Sequence, residues 1–202
     1  MKRHLTFAAI TLTIPLLGAA ACSSAPAGER SVGTSVEAAT ACPVPQSKGN
    51  LVTNGGFNTS MTGWLNADGE DLWVKNVDAN GCSKSGSVGE SFSTNYSPAQ
   101  CVKLPSGGGN YYFGASFNYK DADNGSYCML TLFTDTKCVD WATDDNYTVG
   151  PEGNDMKTGW RSYSVQVPIP SNANSANIQC FLEGENYYTY LDKVYVNKTN
   201  SF

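Results

Sequence analysis

The feature that most constrains the fold is the spacing of apolar residues after Trp64, which alternate with polar residues in short segments. Successive side chains of a β-strand point to opposite faces, so this period of two predicts half-buried strands. Segment 177–183 shows the pattern. Its predicted core face is apolar: Ile178, Cys180 and Leu182. Its other face carries an amide, an aromatic ring and a carboxylate: Gln179, Phe181 and Glu183.

The alternation extends along most of the chain and predicts the fold class. Residues rich in Gly, Pro, Asn and Asp separate the segments and predict turns. No segment predicts a helix longer than a turn or two. Eight or nine short strands at this spacing predict an all-β fold, an antiparallel β-sandwich of the jelly-roll, galactose-binding-domain-like type. The predicted strands are 71–77, 87–93, 100–104, 111–119, 127–133, 160–167, 177–183 and 188–196.

Composition excludes several functions. Hydrophobic residues make up 41% of the chain and charged residues only 15%, a balance typical of strands and turns. The net charge of -5 and the scattered Lys and Arg exclude a phosphate-tracking surface, so no nucleic acid partner is expected. The single histidine, His4, lies in a predicted leader. The mature chain therefore has no imidazole for a Ser-His-Asp triad or a His-containing zinc site.

The N-terminus has the pattern of an export signal. A basic start at 1–4, a short apolar run at 5–17 and small residues before Cys22 predict a secretory signal rather than a membrane span. Small residues directly before a cysteine resemble the bacterial lipobox, which implies acylation of Cys22, although Ala19 stands where Leu is preferred. The expected location is the cell envelope as a lipoprotein. If Cys22 is not acylated, the protein is extracellular.

The predicted organisation is a signal peptide over 1–21, a lipidated flexible tether over 22–49 and one domain over 50–202. The tether is rich in Ser, Ala, Gly, Pro and Thr and has no apolar periodicity. Contact with the membrane is expected only through the lipid anchor.

The cysteine count predicts disulfides. Setting Cys22 aside leaves six of the seven cysteines, an even set that indicates three bridges in an oxidising compartment. Their spacing leaves the connectivity open, and Cys42 is expected to pin the tether to the domain. A zinc site is not favoured because the chain contains no Cys-x-x-Cys pair. The six are Cys42, Cys82, Cys101, Cys128, Cys138 and Cys180.

Segment 50–64 reads N-L-V-T-N-G-G-F-N-T-S-M-T-G-W. It predicts a short strand, a glycine-permitted turn and two aromatic anchors, Phe57 and Trp64. The strand is expected to help close the sandwich.

Five motifs follow one another from residue 50. They are N-L-V-x-N-G-G-F with the later G-W at 63–64, Q-x-V at 100–102, Y-F at 112–113, G-W-x-x-Y at 159–163 and Y-L-D-K-V at 190–194. In this order they resemble the jelly-roll carbohydrate-binding modules appended to cellulases and xylanases, in the group of families 4, 9 and 22. The resemblance covers about residues 50–197 and implies binding of a polysaccharide or oligosaccharide without cleavage.

The resemblance also implies site residues. A sugar contact is implied at Tyr96, just ahead of the Q-x-V strand. Further contacts are implied on the outward face of the penultimate strand, where alternation already places Gln179, Phe181 and Glu183. A solvated outer face with one stray Phe is the alternative for this strand.

The tryptophans are expected to differ in role. Trp64 and Trp160 match motif positions that imply structural residues of the core. Trp141 lies in the polar stretch 137–147, which is predicted to be a loop. An exposed aromatic on a loop lacks a packing reason, so Trp141 is expected to contact the ligand.

A structural calcium ion is a further implication of the resemblance. Asn58 follows the N-G-G-F turn and Asp192 lies in the last strand, where such modules place calcium ligands. Asn58 stands where the family has Glu. The hard oxygen ligands still suit calcium, with one fewer negative charge and hence weaker expected binding.

Two rival functions stay open. Because a module without an attached enzyme is unusual, an adhesin or structural surface protein could use the same sandwich to bind another protein. A glycoside hydrolase could use the carboxylates of Glu183 and Glu185, which are two residues apart on one strand face. No enzymatic activity is expected.

Overall fold

The computed structural model of the chain describes residues 31–33, 42–65, 72–90, 98–119, 125–151, 158–182 and 189–202. These residues form ten β-strands, and none of them forms a helix, so no membrane-spanning helix occurs among them. The strands are β1 (Ser31–Gly33), β2 (Trp73–Lys75), β3 (Gly86–Glu90), β4 (Ala99–Lys103), β5 (Gly109–Tyr119), β6 (Tyr127–Phe133), β7 (Trp141–Val149), β8 (Gly159–Ile169), β9 (Ser175–Phe181) and β10 (Thr189–Asn197).

The strands form two sheets in which the paired neighbours run antiparallel. One sheet has six strands in the order β1-β8-β5-β10-β3-β2. The other has four in the order β4-β9-β6-β7. The non-consecutive neighbours show that the chain crosses repeatedly between the two layers. The predicted all-β antiparallel sandwich is confirmed.

The core lies between the sheets and follows the predicted alternation. Ile178, Cys180 and Leu182 are each 0% exposed, as are the facing residues Leu130 and Leu132 of β6. The six-stranded sheet contributes mainly aromatic rings from β5, which are also inaccessible to solvent: Tyr111, Phe113, Phe117 and Tyr119. Alternation thus assigned the inward face of β9 correctly.

Three disulfides form, as the cysteine count predicts. Cys128 and Cys180 are register partners on β6 and β9, and their bridge lies inside the core. Cys101 on β4 joins Cys138, in the connection between β6 and β7. Cys42 joins Cys82, which confirms that the end of the predicted tether is pinned to the domain.

Segment 50–64 departs from the prediction of a short strand. It forms turns, with Asn54 and Phe57 at positive φ values of 51° and 45° that interrupt any extended run. It docks on β10 through backbone bonds of 2.9 Å from Leu51 N to the Val196 oxygen and from Val194 N to the Gly55 oxygen.

A Cβ at Gly55 would lie 2.0 Å from the main-chain oxygen of Val194, so only glycine allows this close approach of the segment to β10. The two aromatic anchors of the segment are confirmed. Phe57 and Trp64 are buried, and their ring centroids are 5.2 Å apart.

Three further predictions are corrected. The polar stretch around Trp141 is the edge strand β7 rather than a loop. Trp160 is half-buried. Its side chain lies on the outward face of β8, whereas that of Tyr163 lies on the inward face of the same strand, so Trp160 is not a core residue. Three residues of the predicted tether, Ser31–Gly33, form β1 and pair with β8.

The disulfides differ in solvent access, which predicts the order of their reduction. Cys101 is exposed, whereas Cys128 and Cys180 are 0% exposed. Mild reductant applied to the folded protein should therefore release Cys101 and Cys138 first and Cys128 and Cys180 last, because thiolate attack needs access to sulfur. Pulsed alkylation followed by mass spectrometry measures this order.

As a control, unfolding in denaturant should make all three bridges react together. Early labelling of Cys128 or Cys180 in the folded protein would contradict the assignment of this bridge to the core.

Candidate functional site

The outward face of the four-stranded sheet carries Gln179 and Phe181, two of the predicted site residues. Gln179 and Phe181 alternate with the buried Ile178 and Cys180, and both are partly exposed. The β6–β9 register then brings two β6 residues beside them. Tyr127 lies opposite Phe181 and Met129 opposite Gln179.

Tyr127 and Phe181 form an aromatic pair on this face. Their ring centroids are 4.8 Å apart and their planes are inclined at 29°, a stacked arrangement. Both side chains are only partly buried, so part of each ring surface faces solvent. Exposed aromatic surface beside a hydrogen-bonding group suits a ligand that has apolar faces and many hydroxyls.

The amide of Gln179 supplies such a hydrogen-bonding group. It lies between Ala99 of β4 and Met129 of β6 in the ladder. A primary amide offers both a donor and an acceptor, which matches a hydroxyl in either role. Tyr127, Phe181 and Gln179 therefore form a compact, uncharged cluster.

The opposite end of this face is covered. Ser175 and Phe133 also point outward, yet they are only 0% and 5% exposed. The cover is residues 134–140, the connection between β6 and β7. The Ser175 hydroxyl donates to the Asp135 main-chain oxygen at 2.7 Å, and the Asn174 amide donates to the Thr134 oxygen at 2.5 Å.

We call this connection the stapled loop (residues 134–140), because Cys138 is joined to Cys101 on the far edge strand β4. The Cys138 sulfur lies 3.4 Å from the Ser175 hydroxyl, so the bridge passes over β9. One end of the outward face is thus closed by covalent structure, while the Tyr127–Phe181 end is partly exposed.

A single carboxylate organises the stapled loop. Asp135 accepts hydrogen bonds from the backbone N–H groups of Lys137, Val139 and Asp140 at 2.5, 2.9 and 2.6 Å. These bonds stabilise the charged form of the Asp135 carboxyl and so lower its pKa. The bond from the Asp140 N–H contributes most.

Trp141 lies away from the aromatic pair. It is 64% exposed and sits opposite Phe133, at the covered end of the face. Phe133 and Tyr127 are six residues apart on β6, which is about 20 Å at the usual rise per residue. The structure therefore does not bring Trp141 together with Gln179 and Phe181.

Several predicted residues lie outside the described residues: Tyr96, Glu183, Glu185 and Cys22. Tyr127 and Met129, in contrast, were not predicted as site residues. Their side chains lie on the outward face of β6, and the register of β6 against β9 brings them to Phe181 and Gln179.

The predicted metal ligands lie near a different loop. Both oxygens of Asp192 accept backbone N–H bonds, from Ala79 at 2.9 Å and from Lys193 at 2.7 Å. Asn58 accepts a hydrogen bond of 2.9 Å from Ser85. Asn58 and Asp192 thus both contact the loop between β2 and β3, Asn58 at Ser85 and Asp192 at Ala79.

Asp192 is 1% exposed and the nearby Asp78 is 6% exposed. Burial raises the pKa of the Asp192 carboxyl well above its usual range, and the charge of Asp78 raises it further. Among the described residues, no group of three or more His, Cys, Asp and Glu side chains is placed to hold a metal.

Comparison with known proteins supports the fold. No protein-family model matches the sequence, and no match was found among curated proteins. A solved structure of a family 16 carbohydrate-binding module has a TM-score of 0.51 at 19% identity, covering 73% of this chain and 99% of that one. A family 61 module in complex with β-1,4-galactotriose has a TM-score of 0.51 at 21% identity, covering 74% and 99%.

A third match is the enzymatically active domain of tailspike protein 4 from bacteriophage CBA120. It has a TM-score of 0.56 at 17% identity, and the match covers 74% of this chain and 21% of the tailspike chain. This chain therefore spans about a fifth of the tailspike chain. At these identities the matches establish the fold, which is a jelly-roll sandwich.

The Asp135 bonds generate a test by acid titration. The pKa of the Asp135 carboxyl is lower in the folded than in the unfolded state. The charged carboxylate therefore stabilises the loop fully at pH values above the pKa of the unfolded state. This stabilisation is lost as the pH falls through the lowered folded pKa. The amide resonances of Lys137, Val139 and Asp140 should therefore shift together when the protein is titrated to acid pH. In Asp135→Asn, the same amides should already be shifted at neutral pH.

Asp140→Asn, which changes an exposed carboxylate of the same loop, is the matched control and should keep the Lys137 and Val139 amide resonances at their positions in the unchanged protein at neutral pH. Identical amide spectra for Asp135→Asn and the unchanged protein would show that this carboxylate does not order the loop.

Proposed function

We propose that this chain is an exported, non-catalytic carbohydrate-binding protein that binds a polysaccharide or oligosaccharide on the outward face of its four-stranded sheet. The observation that carries the proposal is the stacked, partly exposed Tyr127–Phe181 pair beside the Gln179 amide. Pyranose rings present C–H faces that pack on aromatic rings, and hydroxyls that bond to amides. The uncharged cluster suits a neutral sugar.

The structural matches support this proposal. The family 61 module was solved with galactotriose. A further match, a module-bearing xylanase 10B from Clostridium thermocellum, was solved with xylohexaose and has a TM-score of 0.52 at 12% identity. The match covers 76% of this chain and 29% of the xylanase chain. Both support an oligosaccharide as the ligand class, without naming the glycan bound here.

The absence of catalysis is part of the proposal. The only histidine is His4, within the predicted leader, and several of the matched structures are binding modules in their own right. Glu183 and Glu185, the carboxylates of the alternative glycoside hydrolase, lie outside the described residues.

Export and anchoring complete the proposal. Three disulfides support an oxidising compartment, since such bridges persist outside the cytosol. Acylation of Cys22 would place the domain at the cell envelope, and the membrane would then be contacted only through the lipid. Without acylation the same domain would be extracellular.

A structural calcium ion, predicted at Asn58 and Asp192, is also part of the proposal. Asp78 and Asp192 are buried and close enough for the Asp78 charge to raise the Asp192 pKa. A bound cation would offset that repulsion. Each Asp192 oxygen accepts one backbone bond and keeps a lone pair. Asp78 Oδ1, in contrast, already accepts from Asn80 N and Cys82 N, which leaves its Oδ2 for the cation. We propose that Asp192 and Asp78 hold calcium, with the Asn58 amide oxygen as a weaker neutral ligand.

Binding should depend on the aromatic pair. Phe181→Ala and Tyr127→Ala should each weaken oligosaccharide binding about 10- to 100-fold, because each removes a large apolar contact from the ligand. A glycan array with the purified mature domain identifies the ligand, and titration calorimetry then measures the affinities. Tyr112→Ala, which removes a partly exposed ring from the outward face of the other sheet, should have no effect.

Full binding by both pair variants would disprove the site assignment. A protein that binds no glycan would favour the adhesin function, and release of reducing sugar in the same assay would favour the hydrolase.

Calcium should stabilise the fold. At a calcium concentration near 100 times the Kd, the melting temperature should be about 5 to 10 °C higher than in chelator. Calcium that binds only the native state raises the free energy of unfolding. Asp192→Asn should remove most of this shift, and Asp140→Asn, at an exposed carboxylate, should keep it. Equal melting temperatures with calcium and with chelator would refute the site.

A further inference from the structure

Five residues from neighbouring segments form a row across the outward face, here called the Leu65 row. Leu65 and Ala99 form a bridge through backbone hydrogen bonds of 2.8 and 2.7 Å. Ala99 lies opposite Gln179, Gln179 opposite Met129, and Met129 opposite Thr148. Paired residues of antiparallel strands share a face, so all five side chains lie on the site face. At a strand spacing of about 4.8 Å, the row is about 19 Å long.

The Leu65 row is accessible and uncharged. Leu65 is 75% exposed, and the other four residues are partly exposed. Three of its members are apolar, the other two carry an amide and a hydroxyl, and no member ionises. This composition suits a neutral ligand with apolar faces and hydroxyls, and it includes no charged group to pair with a phosphate or a charged peptide. The row is continuous with the Tyr127–Phe181 pair, which is the next pair on the same face of β6 and β9.

The stapled loop bounds this surface on one side. Cys101 and Asn177 form the next pair of positions after Ala99 and Gln179, about 7 Å further along the strands. There the bridge to Cys138 rises from β4, and beyond it the loop covers Ser175 and Phe133. A long ligand lying along β9 would meet the bridge and the loop. A ligand lying across the strands would meet neither.

We infer that the bound oligosaccharide runs across the strands along the Leu65 row, that Leu65 is a contact residue at its end, and that the stapled loop is the wall that selects an unbranched chain. This inference rests on the proposed function. It adds Leu65, which directly follows segment 50–64, as a binding residue, and it assigns the Cys101–Cys138 bridge a role in specificity.

Leu65 can be tested with oligosaccharides of increasing length, cut from the glycan that the protein binds. Leu65→Ala should leave the affinity for the shortest bound oligosaccharide unchanged. It should weaken binding of those long enough to span the row by about three- to tenfold, the effect of losing a few buried methyl and methylene groups. Val139→Ala is the matched control, because Val139 is 67% exposed and lies in the stapled loop outside the row.

The outcomes separate the inference from the proposed function. If the unchanged protein binds no glycan, both are overturned. If the unchanged protein binds a glycan but Leu65→Ala has the same affinity at every oligosaccharide length, only the assignment of Leu65 as a contact is overturned. The same holds if Val139→Ala weakens binding as much as Leu65→Ala does.

The wall is tested with the double variant Cys101→Ala/Cys138→Ala. It should bind the linear oligosaccharide as before and gain severalfold affinity for a branched oligosaccharide with the same backbone, because the loop is no longer held over β9. Cooperative thermal melting of the variant confirms that it is folded. Unchanged discrimination between the linear and branched oligosaccharides by a folded variant would overturn the role of the wall.

Discussion

The in-register pairing of β6 with β9 is the interaction on which both the core and the candidate site depend. On its inner side the pairing places Cys128 against Cys180, where the bridge joins the two strands covalently. On its outer side the same register places Tyr127 against Phe181. Because a slip of one residue would exchange the two faces of a strand, the core and the site are specified together. The buried bridge opposes such a slip.

The outward face is divided along the strands by a second covalent constraint. At one end the aromatic pair and the Gln179 amide are partly exposed. At the other, outward-pointing Ser175 has become a buried residue, because the loop between β6 and β7 lies over it. The loop keeps its shape through the Asp135 carboxylate and its place through the Cys101–Cys138 bridge. Local hydrogen bonding and a long-range disulfide thus limit where a ligand can lie.

Much of this architecture follows from residue alternation alone. Alternation predicted the sandwich, most strands and both faces of β9, because strand geometry is a local property. It missed β7, where Asp144, Asp145 and Asn146 have low strand propensity, although charged residues are common on edge strands. It also predicted a strand in 50–64, where positive φ at Asn54 and Phe57 gives turns.

Long-range pairing lay beyond prediction from the sequence. The disulfide connectivity, the partnership of Tyr127 with Phe181 and the proximity of Asp78 to Asp192 each depend on how distant segments meet. The structure confirms that Gln179 and Phe181 lie on the outward face of their strand, and it adds Tyr127 and Met129 beside them. Their role in sugar binding stays a prediction. Trp141 was singled out for its exposure, yet register places it at the covered end.

The Cys42–Cys82 bridge has a mechanical consequence. A pulling force applied to the chain before Cys42 acts first on the three-residue strand β1, which can separate from β8. The force is then carried by the sulfur–sulfur bond from Cys42 to Cys82, shortly before β3. The residues between the two cysteines form a closed covalent loop outside the path of tension. Segment 50–64 can therefore stay seated on β10, with Leu65 in position, while the molecule is pulled.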